Sequence, residues 1–162
     1  AVHSDMLEWS RETTAEDAAH AILNALFGTI QYSVRLQEAP EDHLKMMAHW
    51  IGFAEAHRAT LLKGAFRPYG PELGYPRIEA ESVVERIVAV YQNELVVPSG
   101  ALDRKVIVVN ATSSAELALD MPAPAVMTAF DTFGRQAGKT EVVDGISRVR
   151  VPVSGYCTLE RK

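Results

Sequence analysis

Residues 65–76, AFRPYGPELGYP, decide how this chain is divided. With Gly64 directly ahead, the stretch holds three prolines and three glycines. No long regular element survives that density, because proline lacks a backbone N–H and glycine loses the most entropy on ordering. Residues ahead of it have mainly the period of helices, and residues after it have the period of strands. The expected boundaries are therefore 1–64, a linker at 65–76, and 77–162.

In the first part, Thr13 and Glu16 have capping-box spacing, in which each side chain satisfies the other's free N–H. The helix they predict aligns Ala18, Ala19, Ile22, Ala25 and Leu26 and stops at Gly28. TIQYSVRL (29–36) then alternates Ile30, Tyr32, Val34 and Leu36, a strand pattern. Pro40, Glu41 and Asp42 open a second helix with acidic charge at its favourable end. Its apolar residues Leu44, Met47, Ile51, Ala54 and Leu61 run to Gly64. Helix, strand, helix is part of a repeating α/β unit, but a single strand has nothing to pair with. The expectation is an incomplete unit whose helix faces await a partner, and hence self-association as a homo-oligomer.

After the linker come short runs rich in Val, Ile and Thr: SVVERIVAVYQ (82–92), KVIVVN (105–110), AELALDM (115–121), AVMTAFDTF (125–133) and TEVVDGISRVRVPVSGYCTL (140–159). PSG, NATSS, MPAP, QAGK and DG separate or punctuate them as turn signals. Five or more such strands predict an antiparallel sandwich. In residues 84–91 both alternating sets are partly apolar.

Composition narrows the function classes. The chain of 162 residues is 48% hydrophobic and 23% charged, with a net charge of −5 and no cluster of Lys and Arg. That argues against disorder and against a nucleic-acid or anionic-lipid surface. No run approaches the ~18 apolar residues that would span a membrane. The single cysteine, Cys157, precludes an intrachain disulfide and suits a reducing, cytoplasmic setting; in a strand-like run it reads as a small core residue.

Chemistry-bearing motifs are few. His43, His49 and His57 fall on different faces of the second helix with no cysteine pair beside them, so no metal site is expected. There is no G-x-S-x-G, P-loop or G-x-G-x-x-G, and nothing calls for a cofactor. Asn110-Ala111-Thr112 matches a glycosylation sequon but reads as a turn. Trp9, Phe66, Tyr69 and Tyr75 could form a sugar platform, whereas Trp50, on a helix, belongs in a core. Asp5 remains: an aspartate near the end of an apolar strand is a catalytic candidate in an α/β barrel, and before a turn it is a cap. The chain opens without an initiator methionine, as if cut from something longer.

The combination of HSDMLEWS (3–10), the segment 22–64 and FRPYGPELGYP (66–76) resembles the C-terminal third of bacterial family 36 α-galactosidases of the melibiase type. The most specific pieces are S-V-R-L-x-x-x-P-E-D-H at 33–43, F-x-x-x-H-R-x-x-L-L-x-G at 53–64 and P-E-L-x-Y-P at 71–76. The resemblance covers residues 2–76. It implies an α+β fragment: the terminal helix–strand–helix of a (β/α)8 barrel followed by an antiparallel β-sandwich domain. It also implies a retaining exo-glycosidase acting on terminal α-galactosides. The family's S-D motif maps onto Ser4-Asp5, making Asp5 the general acid/base, with His3, Ser4 and Trp9 as substrate-binding neighbours. Many members continue S-D-N-T-D, where this chain reads S-D-M-L-E. The family's nucleophile lies on an earlier strand, in a K-x-D motif, so the isolated chain is expected to be inactive. The alternative is a non-catalytic β-domain that binds carbohydrate or mediates oligomer contacts.

Overall fold

The computed structural model describes the backbone of residues 3–162 and the side chains from residue 6 onward. Its first part contains two strands: β1 (His3–Leu7) and β2 (Thr29–Tyr32) pair in parallel across helix α1 (Ala15–Asn24). The helix–strand–helix expectation is thus corrected to strand–helix–strand–helix. β2 stops four residues earlier than its alternation suggested. Its only partner among the described residues ends at Leu7, and the bond from Ser33 N to Leu7 O (2.9 Å) closes the ladder.

Capping also shifts by one residue. Thr14 caps α1, accepting from Asp17 N at 3.1 Å while donating to Asp17 Oδ2 at 2.8 Å. The Thr13 carbonyl is thereby left to accept from a side chain of the second helix. That helix begins after Pro40 as expected but breaks at His57 into α2 (Glu41–Ala56) and α3 (Arg58–Lys63). The buried stripe of α2 is His43, Met46, Met47, Trp50 and Phe53, leaving Leu44 and Ile51 about two-fifths exposed. Aromatic and thioether bulk next to the sheet outweighs the aliphatic stripe.

Half of the expected linker is a strand. β3 (Ala65–Tyr69) forms the edge of a sheet, and only residues 70–76 turn, through a 3₁₀ segment at Pro71–Leu73. Pro68 fits there because an edge strand has a side on which no donor is needed. The remaining strands are β4 (Arg77–Glu81), β5 (Glu85–Val90), β6 (Val96–Pro98), β7 (Lys105–Asn110), β8 (Glu116–Met121), β9 (Ala125–Phe130), β10 (Gln136–Val142), β11 (Gly145–Arg150) and β12 (Tyr156–Arg161). They form a seven-stranded sheet in the order β10-β9-β12-β7-β5-β4-β3 and a three-stranded sheet in the order β11-β8-β6.

The pairing is mixed rather than purely antiparallel: β5 lies parallel to β7, and β6 to β8. The cause is the path of the chain. It leaves β5 for the second sheet at β6, returns at β7 and crosses again at β8, so β7 repeats the direction of β5 and β8 that of β6. QAGK (136–139), read as a turn, lies inside β10. The turn is instead built by Asp131, whose Oδ1 accepts from Phe133 N and Arg135 N, with Gly134 at φ +76°.

The helices lie on one face of the larger sheet and the smaller sheet on the other. Ala19, Ile22, Leu23, Met46, Trp50 and Phe53 share one core with Ile87, Ala89, Ile107 and Val109. The alternate residues Val88, Val90, Val106 and Val108 share a second core with Leu117, Leu119, Cys157 and Leu159. Strands covered on both faces lose polar alternation, which explains the doubly apolar pattern of 84–91. The helix faces are therefore covered by this chain's own sheet. On α2, Leu44 and Ile51 stay partly exposed outside that contact.

Cys157 sits in the second core, where burial pushes its thiol up to about 12. Ellman's reagent at pH 8 is expected to label it at the rate of global unfolding and at full speed only in denaturant. Immediate stoichiometric labelling of the native protein would contradict this burial. Asn110, wholly buried, donates to Ser114 O (2.8 Å) and Val151 O (2.9 Å) and accepts from Thr112 Oγ1 (2.8 Å). Its amide organises a turn and is out of reach of glycosylation.

Candidate active-site cleft

The side chains of His3, Ser4 and Asp5 lie outside the described residues, but the backbone that carries them is informative. Asp5 is mid-strand rather than before a turn, so it is not a turn cap. His3 pairs with Thr29 and Met6 with Gln31, so Ser4 and Asp5 together oppose the single residue Ile30. Two residues against one is a β-bulge, a device that re-aims side chains and is over-represented beside active sites.

Both strands run into one cleft. Glu8 and Trp9 come after the end of β1, Ser33, Val34 and Arg35 come after β2, and these two segments enclose about 280 Å³ with Arg11, Glu38 and His43. Ligands of parallel α/β sheets bind at this carboxyl end, where loops can vary without disturbing the ladder. The lining is polar and carries both signs: the carboxylates of Glu8 and Glu38 and the guanidiniums of Arg11 and Arg35. Arg35 and Glu38 form an exposed pair at 3.4 Å.

Trp9 is half-buried and held from behind. Its Nε1 donates to His43 Nδ1 at 3.2 Å, and His43 Nε2 donates to the Thr13 carbonyl at 2.8 Å. Indole can only donate and a carbonyl can only accept, so these contacts select the Nε2–H tautomer of His43. The buried imidazole thus orients the Trp9 ring, edge-on to it at a centroid distance of 6.4 Å. The sequence marked Trp9 but considered His43 only as a metal ligand, which its place on the helix argued against. The pairing of residues 9 and 43 depends on the parallel β1/β2 contact, which no local pattern shows.

The other aromatic candidates do not join this cleft. Trp50 is fully buried, Tyr69 lies under Arg77 (3.9 Å from guanidinium carbon to ring centre), and Phe66 meets Phe27 edge-on. On the sandwich, Phe130 and Tyr156 stack at 4.8 Å, and Tyr156 also meets Trp50 and Phe53 of α2.

Two clusters around a buried carboxylate lie elsewhere among the described residues. Glu85 accepts from Thr60 Oγ1 (2.7 Å) and pairs with His57 Nδ1 (2.8 Å), tying α3 to β5. Glu79, 1% exposed, takes Arg86 Nη2 at 2.6 Å and Nε at 3.2 Å; Arg77 Nε lies 3.1 Å away, off-line for a hydrogen bond. Arg86 also donates to Ser99 O at 3.1 Å, bolting the two sheets together. Gly100, at φ +72°, leaves the space that the Arg86 guanidinium fills. Neither cluster faces a cleft with an opposed nucleophile, so both are structural. Among the described residues, no three His, Cys, Asp or Glu side chains converge on a metal-sized site. Comparison with known proteins adds no assignment: no family model matches the chain, and no curated protein matches its sequence.

Proposed function

We propose that this chain is the C-terminal part of a retaining α-galactosidase: the last two β/α units of a (β/α)8 barrel, braced by a β-sandwich. Asp5 is the general acid/base in this reading. It protonates the glycosidic oxygen of a terminal α-galactoside, then deprotonates the water that releases the sugar from the enzyme. The nucleophile, which must stand about 5–5.5 Å from it, comes from an earlier strand of the complete barrel. His3, Ser4 and Trp9 hold the sugar, Trp9 as an apolar wall positioned by His43.

The observation that carries the proposal is the bulge at Ser4–Asp5 in a strand whose carboxyl end opens into the Trp9 cleft. Two further features support it. The parallel β1/β2 pair has no further strand on either side among the described residues, as a segment of a larger sheet would. The cleft's mixture of carboxylates and guanidiniums beside an indole also suits a ligand whose hydroxyls both donate and accept.

The 162-residue chain alone is expected not to turn over 4-nitrophenyl α-galactoside. The complete gene product is expected to do so, and Asp5→Ala in it to lose about 10²–10⁴-fold. Azide should restore turnover of that variant and yield the α-galactosyl azide, since only the acid/base is missing. A full-length product without α-galactosidase activity would overturn the assignment. Turnover by the isolated chain that disappears in Asp5→Asn would overturn the placement of the nucleophile elsewhere.

A further inference from the structure

We propose that β10 is a pairing edge for a second copy of this chain, joined antiparallel about a two-fold axis at Thr140. This inference is independent of the sugar cleft. β10 ends the seven-stranded sheet, and its residues 136–141 are exposed on both faces, so neither the helical layer nor the smaller sheet covers it. Unpaired edges of this kind template pairing with another chain unless they are blocked.

The other edges of the seven-stranded and three-stranded sheets are blocked. β3 contains Pro68, which removes a donor in mid-strand. β6 is three residues long and ends in Pro98. β11 carries Arg148 and Arg150 and no carboxylate. β10 has no proline and is seven residues long; its register shift lies at one end, between Gln136 and Gly138, and residues 138–142 around Thr140 pair regularly.

Its charges are self-complementary in one register. With the axis at Thr140, Lys139 of each copy faces Glu141 of the other, Thr140 meets Thr140, and Ala137 meets Val143. Opposite charges, threonine pairs and apolar pairs across strands all favour pairing. Moving the axis by one residue to Lys139 would oppose two ammonium groups, and it would set Ala137 against Glu141. Lys139 has no ion pair among the described residues, whereas Glu141 is held loosely by Lys162 (2.9 Å), both in solvent. Val143 and Ile146, 64% and 67% exposed at the β10–β11 corner, would be drawn towards the seam.

A seam of one strand is small, so the dimer should be weak, with a dissociation constant of order 10–100 μM. Sedimentation of the chain from ~5 to ~300 μM should show the mass rising from 17.8 kDa towards twice that value. Lys139→Glu and Glu141→Lys should each weaken association about tenfold or more, because every reversal is felt twice across the axis. The double variant K139E/E141K should restore it. All three variants alter exposed side chains only, and circular dichroism checks that the fold is kept. A monomer throughout the range would overturn the proposal, as would a dimer indifferent to either reversal. Failure of the double variant to recover would equally reject this register.

Discussion

Trp50→Ala is expected to lower the free energy of unfolding by about 3–5 kcal/mol, the range for deleting a fully buried large aromatic side chain. Trp50 is the largest wholly buried side chain, and it stands where α2 meets the sheet. Its ring meets Phe53 at 5.1 Å and Tyr156 at 6.0 Å, and its Nε1 reaches Thr132 Oγ1 at 3.4 Å. Truncation leaves a cavity that the rigid β9 and β12 backbones cannot collapse to fill.

The same experiment bears on how the chain is divided. Residues 1–64 and 77–162 have different periods, yet Ile22, Trp50, Ile87 and Ile107 belong to one core. Urea unfolding of the wild type should therefore be a single transition whether it is followed by tryptophan fluorescence or by the far-ultraviolet strand signal. Trp50→Ala should move the midpoint seen by circular dichroism as a whole. A loss below about 1 kcal/mol, small for a core truncation, or a strand signal indifferent to the substitution, would mean that the helices do not depend on the sheet.

The second large effect is expected at the seam between the two sheets. Arg86→Ala should cost about 3–5 kcal/mol, since it strands a carboxylate that the fold has already removed from water. Glu79 would keep only a long bond from the Tyr69 hydroxyl (3.5 Å) and Arg77, whose Nε does not point along a hydrogen-bond axis, among the described residues. The Ser99 carbonyl would lose its donor as well. Glu79→Gln should cost less, because an amide is neutral and can still accept from Arg86. The double variant Glu79→Gln/Arg86→Met should lose less than the sum of the singles, the signature of directly coupled groups. Strict additivity within about 0.3 kcal/mol would mean that the pair does not act as a unit.

Much of the fold was legible because much of it is local. The 3.6-residue period before residue 64, the proline and glycine punctuation, and the β-branched runs are written in neighbouring residues. The Pro40 start of α2, the core position of Cys157 and the turn role of Asn110 came from local chemistry alone. Errors arose where one element's pattern is set by another. Capping falls to Thr14, and the Thr13 carbonyl receives His43 Nε2–H from a helix thirty residues on. QAGK lacked a turn because Asp131 builds one five residues earlier. The strand at 29–36 was cut short by the length of β1.

The site divides along the same line. Asp5, Ser4, His3 and Trp9 could be named because they sit in one short stretch, and the two alternating apolar sets of 84–91 already held the information that β5 is covered twice. The bulge opposite Ile30, the His43 support for Trp9, and the Glu79–Arg86–Ser99 bolt each join residues far apart in the chain. So does the open edge at β10, which has β9 as its one neighbour among the described residues. Sequence by itself determined element type and the residues able to do chemistry, since backbone dihedral preference and side-chain chemistry act over a few residues. Tertiary structure alone decided pairing, sheet crossing and which polar groups are buried together, since hydrogen-bond ladders and desolvation depend on what the rest of the chain brings alongside.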